Sequence, residues 1–433
     1  MNLLYANDAK GSYPPSYYAA TATPLDPFPV HQGQTTADVC IIGGGYMGLS
    51  AALHLAEAGH DVVLIDAHRV GFGASGRNGG QVGSGQRVDQ QSLERVAGVE
   101  NAHRLWDLAE DAKALVQSLI TRHAMPVTFR PGVAHACWTD AEVRETHKEA
   151  DHLAQHYNYT PVEKLDQPAI RALIGSAAFK GGAIDRGAGH LHPLNFAIGL
   201  AKAAATAGAR IHEKTEALSI RHGAKPVVQT TSGAITCNHV LMAGNGYIGG
   251  LAPAYAARVM PINNFIIATA PLGDAANDIL SQPIAVADTK FVVNYWRLSD
   301  DNRLLFGGAE SYGYTFPDII KSVTKPMLEI YPQLRDTKVD YAWGGTLAIT
   351  MNRLPALLRA APNVLAASAC SGHGVAMATL TGRILAEAIH SQSASFDLLS
   401  TLPQARFPGG VALRWPLLVL AMTWYSMRDK LGL

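Results

Sequence analysis

At 433 residues with 48% hydrophobic side chains, the chain has material for more than one core, and ordinary domain sizes predict two or three folding units. Lysine plus arginine balance aspartate plus glutamate at 35 each, so no charge excess draws the protein to nucleic acid or anionic lipid, and the composition is that of a soluble globular enzyme. Four scattered cysteines, Cys40, Cys137, Cys237 and Cys370, form no CxxC pair and suggest neither a disulfide framework nor a zinc site.

In chain order, residues 1–8 lack the basic and apolar regions of a signal peptide, so a cytoplasmic location is the expectation. Residues 1–36, rich in Pro, Ala and Tyr without sustained periodicity, read as an arm lying over the body. Val39-Cys40-Ile41-Ile42 is an apolar run suited to a buried strand, and after a group of glycines residues 47–58 carry Leu49, Ala52, Leu53 and Ala56 at helical spacing. Gly59 is placed to end that helix, and residues 61–66 form a second buried strand, giving a βαβ unit over 38–66. Residues 227–231, 234–237 and 239–243 read as successive strands of a meander, and 292–298 and 303–306 as two more. Residues 364–369 form a strand running through Ser371-Gly372-His373-Gly374 into a helix over about 375–390. The apolar run 415–424 has roughly half the length needed to cross a bilayer and reads as a packing or oligomer segment, or else a shallow membrane contact.

Gly43-Gly44-Gly45-Tyr46-Met47-Gly48 matches GxGxxG, a pattern that is weak alone in a chain with 41 glycines. Its setting strengthens it: the motif follows a buried strand, opens a helix, and is answered by Asp66 at the end of the next strand. Of the glycines, one makes the tight turn, one lets a pyrophosphate reach the backbone, and one lets helix and strand pack closely. Asp66 is suited to accept hydrogen bonds from an adenosine ribose and to repel a 2′-phosphate. Beyond it the chain does not continue as a nicotinamide dehydrogenase would, with more parallel strands. It enters a second glycine-rich loop, Gly71-Phe72-Gly73-Ala74-Ser75-Gly76-Arg77-Asn78-Gly79-Gly80-Gln81. Small residues there let backbone lie against a broad flat ligand, while Ser75, Arg77, Asn78 and Gln81 offer donors. Ser371-Gly372-His373-Gly374 caps a helix whose free amides and positive dipole end could face a flavin pyrimidine. These features favour FAD over NAD.

With those segments in place, the chain resembles the D-amino-acid oxidase superfamily of flavoproteins, and within it the gamma-glutamylputrescine oxidoreductase branch. The resemblance also rests on Ser16-Tyr17-Tyr18-Ala19-Ala20, Gly189-His190, Pro193-Leu194, Tyr295-Trp296-Arg297-Leu298-Ser299, Leu304-Leu305-Phe306-Gly307-Gly308, Trp343-Gly344-Gly345 and Asn352-Arg353-Leu354-Pro355. It implies an α/β and α+β architecture: a Rossmann-type FAD-binding domain of the glutathione-reductase-like kind, over 37–95, 190–255 and 340–395, and a substrate domain with a mixed β-sheet, over 96–189 and 256–339. Residues 396–433 are left as a C-terminal packing segment. The implied cofactor contacts are Gly43, Gly45, Tyr46, Met47, Gly48, Asp66, Ala67, Ser75, Gly76, Arg77, Asn78, Gly79, Gly80, Gln81, Ala217, Gly244, Gly345, Gly372, His373 and Gly374. The implied reaction oxidises a C–N bond to an imine that water hydrolyses.

Sarcosine oxidases of this superfamily attach flavin through a cysteine, but residues 344–353 contain none, so FAD is expected to be non-covalent. A lysine near flavin N5 assists oxygen in that branch, and it is missing from Leu304-Leu305-Phe306-Gly307-Gly308, so dehydrogenase behaviour stays open beside the oxidase expectation. Tyr295 and Arg297 share one face of their strand and are joint pocket candidates, Arg297 as a carboxylate clamp or as a structural ion pair. Trp343 is an apolar wall or ordinary core, and His190 or His192 touches substrate or the domain junction. Together with His373, Tyr295, Arg297 and Trp343 form the candidate reaction site. The expected partners are a small amine and oxygen or another electron acceptor, with no nucleic acid; a homo-oligomer stays open.

Overall fold

The computed structural model describes residues 3–368, 371–391 and 393–410. Two sheets divide the chain. The first has eight strands, and its main path runs Ala356–Ala361, Val364–Ser368, Gly233–Met242, Gly33–Ile42, Val62–Ile65, Arg210–His212. Gly33–Ile42 pairs in parallel with both Gly233–Met242 and Val62–Ile65, and Gly233–Met242 pairs in parallel with Val364–Ser368. Such strands must be apolar on both faces, and Val39, Cys40, Ile41, Val62, Val63 and Leu64 are fully buried accordingly.

Helices Tyr46–Glu57 and Gly374–His390 follow two of these parallel strands and pack against each other. Their approach depends on Gly382, where a Cβ would lie 2.3 Å from the Met47 carbonyl oxygen. Ser50 Oγ also donates to the Thr379 carbonyl across the contact at 2.7 Å. The first turns of helix Tyr46–Glu57 therefore cross helix Gly374–His390 one to two turns inside it, and both helices start at the carboxyl edge of the sheet, where ligands of open α/β folds bind.

The second sheet has nine strands, its main path running Val339–Ile349, Met260–Thr269, Leu304–Ser311, Tyr295–Leu298, Ala285–Asp288, Arg130–Cys137, Gly181–His190, Gln81–Val82. Its outer core gathers Phe179, Phe265, Trp296, Phe306 and Tyr331. Two strands cross the division expected from sequence. Val339–Ile349 pairs along its length with Met260–Thr269, and Gln81–Val82 pairs with Gly189 and His190, so both belong to the second sheet. The meander also differs: 234–237 and 239–243 are one continuous strand, Gly233–Met242. Its first half pairs with Val227–Thr230, and its second with Val364–Ser368, so one long strand ties a hairpin to the parallel sheet.

The N-terminal arm is held by specific bonds, not by apolar cover alone. Tyr13 Oη donates to the Val70 carbonyl at 2.7 Å, the Gly11 amide donates to His68 Nδ1, and His68 Nε2 meets the Leu4 carbonyl. Among the described residues no helix is long and apolar enough to cross a membrane, and the apolar run 415–424 lies outside them.

Candidate active site

A cavity of about 500 Å³ opens at the carboxyl edge of the first sheet and reaches the second. Its first-sheet wall begins with the loop after Ile42. Gly43 has φ +115°, and a Cβ there would lie 2.7 Å from the Ala243 carbonyl oxygen, so this turn requires glycine. Gly45 is the N-cap of helix Tyr46–Glu57 and gives it no side-chain cap, while a Cβ on Gly48 would lie 1.9 Å from the Gly43 carbonyl oxygen. The three motif glycines thus make the turn, leave the helix end bare and allow helix against strand.

Asp66 closes this end. Its carboxylate accepts from the Gly44 amide at 2.6 Å and the His68 amide at 2.7 Å, fixing it beside the turn. Burial pushes its carboxyl up to about 6, opposed by the two amides, while Glu213 adds to the rise.

The second glycine-rich loop lies across the helix start. Ser75 Oγ accepts from the Tyr46 amide at 3.0 Å, and Asn78 Nδ2 donates to the Ala74 carbonyl at 2.9 Å. Arg77 is anchored through Nε to the Phe72 carbonyl at 2.6 Å and through Nη1 to Asp8 and the Gly344 carbonyl, both at 2.9 Å. Its Nη2 is buried and has no partner among the described residues.

His373 is the N-cap of helix Gly374–His390 without capping it through its side chain. Its Nε2 meets the Gly83 carbonyl at 3.1 Å, and burial lowers its pKa to about 4, with Arg87 adding to the drop. The ring is therefore neutral near pH 7. Two helix N-termini thus open on one cavity, and although Ser75 Oγ takes the Tyr46 amide, neither N-cap side chain caps its helix, the arrangement that binds anions and electron-rich rings. A bare helix end, a glycine cradle and an unpartnered Arg77 donor fit a dinucleotide with a flavin extending from it.

The second-sheet wall supplies different chemistry. Tyr295 Oη donates to Asn264 Oδ1 at 2.5 Å, and Asn264 Nδ2 donates to the Ala309 carbonyl at 3.0 Å, which fixes the amide's orientation. Burial raises the Tyr295 pKa, so the phenol stays protonated. Arg87, His135, Asp185, Phe291, Glu310 and Arg353 also line this end. Asp185 is saturated by Ser84 Oγ, Tyr159 Oη and the Gly187 amide.

Of the residues expected from sequence, Gly43, Gly45, Tyr46, Met47, Asp66, Ala67, Ser75, Arg77, Asn78, Gly79, Gln81, Ala217, Gly244, Gly345, Gly372, His373, Gly374 and Tyr295 line this one cavity. Gly48, Gly76 and Gly80 do not. They sit behind its wall, where a Cβ on Gly76 would strike the Gly71 carbonyl oxygen and one on Gly80 that of Leu191.

Arg297 and Trp343 also miss the cavity. The Arg297 guanidinium is spent on the Gly79 carbonyl at 3.1 Å, the Leu298 carbonyl at 3.2 Å and Tyr18 Oη at 3.3 Å, so it braces the second loop from behind. Trp343 donates Nε1–H to the Arg77 carbonyl at 3.0 Å and packs edge-on against Tyr18 in a small core. His190 bonds the Pro283 carbonyl, and His192 caps helix Pro193–Thr206. Sequence reasoning missed Arg87, Asn264, Glu310 and Arg353. Arg353 lies in the segment Asn352-Arg353-Leu354-Pro355 that carries the resemblance but was given no role, and Arg87 had a signal in the small-residue run that continues through Gly83-Ser84-Gly85 to reach it.

The family model described as FAD dependent oxidoreductase matches residues 38–388. Gamma-glutamylputrescine oxidoreductase of Escherichia coli is 38% identical over 420 residues, 96% of this chain and 98% of that one. The Rhizobium meliloti protein named "Probable oxidoreductase OrdL" is 44% identical over 420 residues, 96% of this chain and 97% of its own. The crystal structure of glycine oxidase from Geobacillus kaustophilus superposes with a TM-score of 0.71 at 22% identity, covering 86% of this chain and all of that one, a likeness of fold. Sequence, fold and cavity agree: the chain belongs to the DAO family of FAD-dependent oxidoreductases.

Proposed function

We propose that this protein oxidises the C–N bond of a small primary amine, of the gamma-glutamylputrescine type, using non-covalently held FAD. The observation that carries the reading is one cavity shared by two helix N-termini without an N-cap side-chain bond and the Tyr295–Asn264 pair. We assign the first sheet to the cofactor and the second to the substrate. When bound, FAD would accept the hydride that leaves the carbon next to nitrogen. The resulting imine takes up water and yields aldehyde and ammonia, and oxygen or another acceptor returns the cofactor to its oxidised form. With oxygen the product is hydrogen peroxide.

The chain's own residues hold and orient. The first-turn amides of helix Tyr46–Glu57 and Arg77 would carry the pyrophosphate, Asp66 the ribose, and the N-terminus of helix Gly374–His390 the flavin pyrimidine. Neutral His373, bonded to the Gly83 carbonyl, serves to position that turn and gives no cation to compete with an amine. Tyr295 has its hydroxyl proton committed to Asn264, so its oxygen presents lone pairs to a substrate N–H. That contact would orient the amine so that its carbon faces the ring.

Anaerobic mixing of the flavin-loaded protein with a panel of amines tests this reading. Primary amines, including gamma-glutamylputrescine, are expected to bleach the flavin absorbance. An absence of bleaching across the panel overturns the proposal, and bleaching by α-amino acids alone would shift it to an amino-acid oxidase.

A further inference from the structure

Lys113 is a buried cation behind the wall of the cavity. It lies in helix Val99–Arg122 and is only 4% exposed. Its Nζ donates to Ser84 Oγ at 2.6 Å, Tyr159 Oη at 3.1 Å and the Gly187 carbonyl at 3.2 Å. It also pairs at 2.9 Å with Glu110, one turn back on the same helix, whose side chain is 32% exposed. Ser84 Oγ donates in turn to Asp185 Oδ2 at 2.6 Å, and Tyr159 Oη donates to Asp185 Oδ1 at 2.7 Å. Ser84 and Asp185 line the cavity. An unbroken chain of short polar contacts, strengthened by charge, thus runs from the cavity through Ser84 and Lys113 to a carboxylate that meets water.

Bracing alone is an expensive use of such groups. Taking the Lys113 ammonium and the Asp185 carboxylate out of water opposes folding, and apolar side chains would join helix to sheet without that cost. The surroundings are nonetheless shaped for them. A Cβ on Gly187 would stand 2.2 Å from Tyr159 Oη, so glycine at this position lets the phenol reach Asp185 and Lys113 together. Amine oxidation supplies a need for the path. A primary amine is an ammonium near pH 7, with a pKa close to the roughly 10.4 of a lysine. Hydride leaves its carbon only once the nitrogen has a free lone pair, so one proton must leave the cavity for each amine oxidised.

We propose that Ser84, Lys113 and Glu110 form a proton outlet from the cavity, with Asp185 and Tyr159 holding Ser84 and Lys113 in line. This rests on the amine-oxidation reading and deepens it. The transfer is one concerted shift. Lys113 gives an Nζ proton to the Glu110 carboxylate and takes the Ser84 hydroxyl proton, while Ser84 Oγ takes a proton from the substrate ammonium or from a water bonded to it. The substrate is left as the neutral amine, Lys113 is again an ammonium and Ser84 a hydroxyl, and Glu110 passes its added proton to solvent. Asp185 keeps its charge throughout. Burial raises the Glu110 carboxyl above its usual range, against the pull of Lys113 and with Asp185 and Asp107 adding to the rise, which suits it to carry a proton in passing. Burial also keeps the Tyr159 phenol protonated and holds His135 and His373 neutral near pH 7, while Arg87 stays charged.

Two measurements on the flavin-loaded protein test this. The first needs no oxidation: tert-butylamine, whose carbon next to nitrogen bears no hydrogen, is mixed with the protein in weakly buffered solution containing a pH indicator. Wild type is expected to release a proton for each amine bound, and Lys113→Met and Glu110→Gln to release it at least about 10-fold more slowly. The second follows anaerobic bleaching of the flavin by gamma-glutamylputrescine between pH 7 and 10. Both variants are expected to bleach at least about 10-fold more slowly than wild type at pH 7 and to approach it toward pH 10, where the amine arrives already neutral. Glu110 does not line the cavity, so slowing in Glu110→Gln is not a lost substrate contact, and Glu110→Asp, which keeps the carboxylate, should recover part of the rate. FAD content and melting temperature report whether each variant has folded. No proton release from wild type, release as fast in both variants, or a bleaching deficit equal at every pH overturns the outlet. Proton release that depends on Lys113 and Glu110, without oxidation of any amine, would leave the outlet standing and remove the amine reading instead.

Discussion

Asp66 is the residue whose titration the cofactor should feel most directly. In the free protein its carboxyl is raised to about 6, because burial outweighs the Gly44 and His68 amides. A raised acid disfavours the charged fold, so in the cofactor-free protein stability is lost as pH rises from the ordinary carboxylate range through about 6. Ribose hydroxyls would donate more strongly to the ionised form and pull the value back down, so FAD binding releases a proton below pH 6. Affinity for FAD should therefore be flat above about pH 7 and fall by up to roughly tenfold per unit below 6. Fluorescence titrations between pH 5 and 8 would measure it, and Asp66→Asn should bind more weakly with a flattened pH dependence. His373, already neutral with a value of about 4, should not contribute in that window. The position of Asp66 was legible in the sequence because it follows from backbone geometry, a strand end facing a glycine turn. Arg297 and Trp343 were not. Alternation along a strand says which side chains share a face, but whether that face meets a cavity or a neighbouring carbonyl depends on chain segments far away, here Gly79 and Arg77.

At the scale of elements, the site depends on the start of helix Tyr46–Glu57 packing closely across helix Gly374–His390. Gly382 permits that, since a methyl there would stand 2.3 Å from the Met47 carbonyl and 2.8 Å from Ser50 Cβ. Gly382→Ala should therefore destabilise the protein by about 1–3 kcal/mol and weaken FAD binding as the start of helix Tyr46–Glu57 is pushed off its neighbour. Gly374→Ala offers the contrast. A Cβ there meets nothing within 4 Å, so its melting temperature should stay close to wild type while its methyl, on the cavity wall, still weakens FAD binding. Thermal unfolding and FAD titration of both variants separate packing from ligand contact; equal melting temperatures would refute the packing role of Gly382. The strand–turn–helix units were readable because buried parallel strands are short apolar runs and helix starts carry glycines. The long strand Gly233–Met242 read as two because Asn238 interrupts its apolar pattern at the exposed point between its two sets of partners.

For the molecule as a whole, two sheets built from interleaved segments enclose one cavity, and its two ends carry different chemistry. The architecture was legible in outline, since nucleotide-type units appear at both ends of the chain with β material between. The exact division was not. Val339–Ile349 and Gln81–Val82 lie next to the cofactor loops in sequence, yet backbone pairing assigns them to the second sheet, and it is through them that the loops reach the opposite wall. The polar lining of that wall stayed hidden because Asn264 and Glu310 are isolated in sequence, and they meet Arg353, whose segment was noted without a role, only once the sheet forms. The central claim is that this cavity holds one FAD without a covalent bond. Deflavinated protein titrated with FAD, followed by quenching of flavin fluorescence, should saturate at one equivalent per chain, and acid precipitation should then release all the flavin into solution. A correctly folded sample that takes up no FAD, or flavin that stays with the precipitated protein, would contradict the account.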